Sequence, residues 1–132
     1  MKKLKGAIIK KMNKEEELFL NGINAFNNKK YYDAHEYWEE LWLEYKLLDA
    51  IFIQGLIQLA VSYFHFYNGN INGAKSMIRK CLGKFEGYNI CRGIDVKLLK
   101  SQILVLQNSY FKIENSKENN IPFTIRIDLN DE

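Results

Sequence analysis

Through most of this chain apolar residues recur every three or four positions; near its end they recur every second position. The first spacing marks one face of a helix and the second marks a strand. Five helices are predicted. One runs from about Lys14 to Asn27, with Leu18, Phe19, Ile23 and Phe26 inward. Its first turn holds Glu15, Glu16 and Glu17, where the helix dipole favours negative charge. The second runs from about Tyr31 to Lys46 and places Tyr31, His35, Trp38, Trp42 and Tyr45 on one side. The third runs from Asp49, an expected N-cap, to Tyr67, and Asn68-Gly69-Asn70 stops it. The fourth covers about Ile71 to Glu86, with a stripe of Ile71, Ala74, Ile78, Cys81 and Phe85 and Gly87 as its C-terminal cap. The fifth runs from Asp95, again an N-cap, to about Tyr110, with Leu99, Ile103, Leu106 and Tyr110 inward.

Beyond a polar connector at Glu114–Asn120, Phe123, Ile125, Ile127 and Leu129 alternate with Thr124, Arg126, Asp128 and Asn130. One strand cannot satisfy its own backbone. This tail is expected to lie extended across the helices or to pair with its copy in a homodimer. The pattern as a whole predicts an all-α, single-domain antiparallel bundle of about five helices with an extended C-terminal segment. Residues 1–13 form a basic N-terminal segment, 14–113 the bundle, and 114–132 the connector and tail.

Composition agrees with helices. A single Pro in 132 residues, with 8 Gly, argues against a β-sandwich, and 14% aromatic residues argue against disorder. Charge changes the picture more. The net charge is +3, but five lysines (Lys2, Lys3, Lys5, Lys10, Lys11) fall in the first twelve residues with no acid among them. The other 120 residues carry fourteen basic against sixteen acidic side chains, a balance of −2. A body without net positive charge is a poor nucleic-acid surface, so no nucleic-acid partner is expected.

Cys81 and Cys91 fit neither a zinc nor a Cys-x-x-Cys pattern and read as ordinary thiols. The apolar run Ala7-Ile8-Ile9 is too short for a secretory signal, so a cytoplasmic setting is expected. Ala50–Tyr67 carries no formal charge, but Gln54, Gln58, Ser62 and His65 interrupt it. It reads as the buried central helix of a bundle rather than a membrane span.

Candidate chemistry lies between the second and third helices. At about 100° per residue, Asp33, Glu36, Glu40 and Glu44 share a solvated face, while His35 adjoins Trp42 at the edge of the apolar arc. Glu39 falls only about 40° beyond His35, at the boundary or inside it. On the third helix Gln54, Gln58, Ser62 and His65 collect within about 80°. A short connection makes the two helices antiparallel neighbours, so a polar cluster of His35, Glu39, Gln54, Gln58 and His65 is expected. Imidazole and carboxylate both suit a divalent metal ion, with His35, Glu39 and His65 as ligands and Trp42, Gln54 and Gln58 in support. The same cluster reads equally as a hydrogen-bonded device that fixes helix register.

Sharper motifs fail. His35-Glu36-Tyr37-Trp38-Glu39 lacks the second His of a metalloprotease helix, and Tyr32 stands where a di-iron Glu-x-x-His would need Glu. No nucleophile constellation and no glycine-rich phosphate loop is present, so no reaction and no catalytic residue is specified.

At these residues the chain resembles a known family. Phe26-Asn27, then Tyr31-Tyr32-Asp33-Ala34-His35-Glu36-Tyr37-Trp38-Glu39-Glu40-Leu41-Trp42, is similar to the signature of the helical family catalogued as domain of unknown function 309. Its His-x-x-x-Glu-x-x-Trp pattern falls on His35, Glu39 and Trp42. Gln54-Gly55-Leu56-Ile57-Gln58-Leu59-Ala60, His65, Gly69-Asn70 and Gly73-Ala74 resemble its second stretch. Gly93-Ile94-Asp95 and Ile121-Pro122-Phe123 resemble its later ones. Family members often carry Arg shortly before the Gln-Gly-Leu-Ile-Gln stretch, where this chain has Asp49-Ala50-Ile51. The resemblance implies an all-α bundle and metal binding at His35 and Glu39, with no established reaction.

Two functions are therefore expected to compete. One is a metal- or small-ligand-binding bundle. The other is an interaction module or homodimer that exposes Tyr32, Tyr37, Tyr63, Phe66 and Tyr67, with the polar cluster purely structural.

Overall fold

The computed structural model describes residues 12–113 and 121–130. The lysine-rich head up to Lys11 and the connector 114–120 lie outside the described residues. Five helices follow one another: α1 (Lys14–Asn27), α2 (Tyr31–Glu44), α3 (Ala50–Tyr67), α4 (Ile71–Lys84) and α5 (Val96–Lys112). Between α4 and α5 a hairpin pairs β1 (Ile90–Cys91) with β2 (Ile94–Asp95) in antiparallel register, Ile90 opposite Asp95 and Cys91 opposite Ile94. Each helix packs on the next in sequence.

Polar side chains start three of the helices as their sequences suggest. Asn13 and Glu16 form a reciprocal capping box on α1. Asn70 accepts from the Gly73 amide at the start of α4, and Asp95 accepts from the Leu98 amide at the start of α5. Asp49 does not act this way. It occupies the N-cap position of α3, but its carboxylate makes no capping bond. Arg92 claims it instead, with Nε 2.6 Å from Oδ2 and Nη2 3.1 Å from Oδ1. The hairpin sets up this grip. Arg92 and Gly93 are the two residues of its tight turn, and both have positive φ, as a two-residue hairpin with matching twist requires. Arg92 also meets Glu15 at 3.1 Å and lies over the Phe19 ring. One guanidinium thus ties the hairpin to the starts of α1 and α3.

The core runs the length of the bundle. Trp38, Leu41, Phe52, Leu56, Leu59, Tyr63, Ile78, Phe85, Ile103 and Tyr110 are fully buried. α1 and α2 meet at one close approach: the Trp38 indole lies on Gly22, where an added Cβ would collide with the ring, and its Nε1 donates to the Phe19 carbonyl at 3.2 Å. α3 is long and apolar enough to cross a membrane by length and composition. Here it packs against α2 on one side and α4 on the other, as expected of a central helix. The interaction-module reading counts Tyr63 and Phe66 among the aromatics available for exposure. Tyr63 is fully buried and Phe66 half-buried, because tail and α5 cover that side of α3.

The tail takes the first of its two expected courses and lies extended across the bundle. Ile125 and Ile127 are buried while Thr124, Arg126 and Asp128 face out. Side chains supply the partner strand. The Tyr63 hydroxyl donates to the Phe123 carbonyl at 2.6 Å and accepts from the Ile125 amide at 2.9 Å. Asn27 bonds both backbone groups of Ile127, each at 2.8 Å. At the far end the Asn130 amide donates to the Gly93 carbonyl and Leu129 bridges to Ile94.

Two outcomes follow. Gly22→Ala forces a methyl against the Trp38 ring and should cost about 1–3 kcal/mol of unfolding free energy in urea titrations. The second concerns acid. Burial alone raises the pKa of the Asp49 carboxyl, but the Arg92 bonds outweigh it and hold the group below the usual carboxylate value. A carboxyl lowered in the fold stabilises above its unfolded pKa of about 3.9 and loses that contribution as pH falls through the folded value. Arg92→Gln should therefore lower stability at neutral pH and shrink the further loss between neutral and strongly acidic pH. An acid response identical to that of the native chain would show that this ion pair does not govern it.

Candidate functional site

The inward face of α2 is set by Tyr31, Ala34, Trp38 and Leu41, all buried. This stripe is turned from the expected one, which ran through Tyr31, His35, Trp38, Trp42 and Tyr45. Leu41 and the small Ala34 take the central positions, so residues further round the helix grade toward solvent. Trp42, expected to face inward, is 38% exposed. His35 and Glu39 sit at the margin of this face, with side chains 20% and 47% exposed. The pair itself forms: His35 Nε2 is 3.3 Å from Glu39 Oε1. His35 Nδ1 lies 3.3 Å from the Tyr32 carbonyl, so the ring is held on both sides.

The polar stripe of α3 does not face a single neighbour. Ser62 is fully buried on the α5 side, bonded to the Leu59 carbonyl and to the Tyr110 hydroxyl at 3.2 Å. His65 sits near the end of α3, half-buried, with Nδ1 3.5 Å from Asn70 Nδ2 across the turn. Gln54 and Gln58 are both half-buried. The Gln58 side-chain oxygen is buried and has no hydrogen-bond partner among the described residues. Few native groups are left in this state.

The structure therefore brings His35 and Glu39 together and leaves His65 apart from them. No group of three or more His, Cys, Asp or Glu side chains among the described residues is arranged to hold a metal ion. The two thiols lie elsewhere. Burial pushes the Cys81 thiol up to about 12. Burial, followed by the neighbouring Asp49 carboxylate, pushes Cys91 up to about 12 as well. Neither is a thiolate at neutral pH.

Aromatic residues read from the sequence only as packing or interaction groups carry another feature. Tyr31 is stacked between Tyr63, at 4.4 Å between ring centroids, and Tyr67, at 6.1 Å. Tyr32 packs on both His35 and Phe64. Tyr31, Tyr32, Phe64 and Tyr67 line an open cleft of about 430 Å³ where the α1–α2 turn meets the end of α3. The run of two lysines and two tyrosines at Lys29-Lys30-Tyr31-Tyr32 was the available signal, but periodicity assigns such residues only to a helix start.

The class of protein is thus an all-α bundle with a His–Glu pair on its second helix and a largely apolar helix carrying half-buried Gln54 and Gln58 packed beside it. The family described as domain of unknown function (DUF309) matches residues 19–77, from the first helix into the fourth, and over that span the chain resembles it. The later stretches at Gly93-Ile94-Asp95 and Ile121-Pro122-Phe123 lie outside the matched residues. No curated protein and no solved structure matches the chain.

Gln58 offers a direct test of the seam. An unsatisfied buried carbonyl costs about 1–3 kcal/mol, whereas an apolar side chain of similar shape costs nothing comparable. Gln58→Met should therefore leave the ligand-free protein as stable as the native chain or more stable. A clear fall in melting temperature would mean that the glutamine is bonded in solution.

Proposed function

We propose that this protein is a binding bundle whose His35–Glu39 pair holds a divalent cation or a small polar ligand at the edge of the α2–α3 seam. The observation that carries this reading is the 3.3 Å separation of His35 Nε2 and Glu39 Oε1. Two donors each about 2.1 Å from one tetrahedral cation lie about 3.4 Å apart. The donor set fits a cation gripped by two protein atoms and completed by water. It does not fit a closed structural site, which needs four protein ligands. Such a cation supplies positive charge and open coordination positions for a second ligand. His35 and Glu39 hold it, and partial exposure lets it exchange.

A second reading rests on a separate observation. Tyr32, Tyr37, Trp42 and Leu43 leave α2 with exposed apolar groups, at 50%, 37%, 38% and 68%. Isolated exposed apolar residues are ordinary, but four on one helix suit a protein partner or a second copy of this chain.

Untagged protein titrated with Zn, Mn, Fe or Ni separates the two. On the first reading the melting temperature rises with metal concentration, as a ligand selective for the folded state requires. Glu39→Gln then abolishes the shift while changing metal-free stability by less than about 1 kcal/mol, the usual worth of an exposed pair. Absence of bound metal after purification and of any thermal shift sinks the first reading. A monomer at every concentration in light scattering counts against self-association.

A further inference from the structure

The cleft at the α1–α2 turn combines features that neither reading above uses. Its walls are aromatic: Tyr31, Tyr32, Phe64 and Tyr67 line it, with Tyr32 and Tyr67 half-exposed. Its volume of about 430 Å³ lies in the range of small-molecule sites. Its rim is basic, formed by Lys29 and Lys30, and Lys29 is held in the left-handed region with φ 63°. Lys30 is the N-cap of α2 and makes no side-chain capping bond, so the first-turn amides of this 14-residue helix lack the acceptor that Asn13, Asn70 and Asp95 give α1, α4 and α5. Free amides and the helix dipole attract an anion there.

An independent feature sits in the same wall. Tyr31 is only 5% exposed, and its hydroxyl has no hydrogen-bond partner among the described residues. The other deeply buried tyrosines are satisfied, Tyr63 by the tail and Tyr110 by Ser62. A buried hydroxyl without a partner is a site waiting for one. The half-exposed Tyr67 ring lies parallel to Tyr31, and both residues line the cleft. Asp33, in the first turn of α2, also lines the cleft, and its carboxylate disfavours an anionic group on its own side.

We propose that this cleft binds a small planar aromatic acid. The ring lies among Tyr32, Phe64 and Tyr67. The carboxylate or phosphate meets Lys29, Lys30 and the first amides of α2, and the Tyr31 hydroxyl donates to it. Aromatic rings gain from offset or edge-on contacts with such walls, and charge-assisted bonds fix the acidic end. Neither His35 nor Glu39 lines the cleft, so this site and the metal reading stand or fall separately.

The test uses the full chain in metal-free buffer with four probes: phenyl phosphate, phenylacetate, inorganic phosphate and phenol. Amide chemical shifts report the place of binding and its strength. At least one aromatic acid should move the amides of Tyr31, Tyr32 and Asp33, and should bind about tenfold or more tightly than inorganic phosphate or phenol. The stronger of the two acids tells phosphate from carboxylate. Replacing both Lys29 and Lys30 with Gln should weaken that acid by about fivefold or more, with unchanged circular dichroism. Tyr31→Phe removes a hydroxyl with no partner in the fold, so it should keep the melting temperature and still weaken the acid. Three results would overturn the proposal: no response to either aromatic acid, inorganic phosphate binding as well as phenyl phosphate, or equal affinity in the Lys29/Lys30 double variant.

Discussion

Gly22 lets the indole of Trp38 lie directly on the backbone of α1, and this contact decides which way α2 faces. The largest side chain of α2 is then fixed toward α1, with its Nε1 bonded to the Phe19 carbonyl. A helix is a rigid cylinder with about 100° between successive residues, so pinning one residue pins them all. Ala34 and Leu41 turn inward on either side of Trp38 and are fully buried. Trp42, His35 and Glu39 are carried to the margin. A larger residue at position 22 would push Trp38 off its seat and rotate the whole face.

The margin is where the chemistry has to be read. A His–Glu pair in the interior would be a costly ion pair whose partners could not be changed. The same pair with its carboxylate half-exposed costs little. The burial that gives Trp38 its packing therefore also sets how strongly His35 and Glu39 can contribute to stability. Their value to the fold is small, which is why binding is the more informative property to look for there.

Most of the architecture was legible in the sequence because it depends on local periodicity. All five helices fall within a few residues of their expected bounds, and Asn13, Asn70, Asp95 and Gly69 act as the sequence suggests or allows. Less visible was anything that depends on a partner distant in the chain. Asp49 reads as an N-cap until Arg92, 43 residues later, takes its carboxylate. Tyr63 reads as available for exposure until the tail, 60 residues later, closes over it. The hairpin went unseen because two strands of two residues leave no alternation to detect. For the site, the His35–Glu39 pair was legible because it lies within one turn of one helix. The separation of His65 from it was not, because that depends on how far along α3 the packing extends. Gln54, Gln58, Ser62 and His65 share a side of α3 by angle, yet Ser62 meets α5 and His65 meets the turn beyond the helix.

The tail shows how one constraint propagates. An extended segment brings backbone donors and acceptors that must be met when its apolar side chains are buried. A helical bundle has no sheet edge to offer, except at the two-residue β2. Tyr63 and Asn27 answer by presenting hydroxyl and amide groups in the places a neighbouring strand would fill. Tyr63 is then bonded at its hydroxyl and stacked at its face against Tyr31. Tyr31 is held by that stack in a position where its own hydroxyl finds no partner. The unsatisfied group in the cleft is thus the far end of a chain of contacts that begins with the tail. A ligand that completes Tyr31 would bear on the Tyr63 ring, and through it on the tail bonds made by the same hydroxyl.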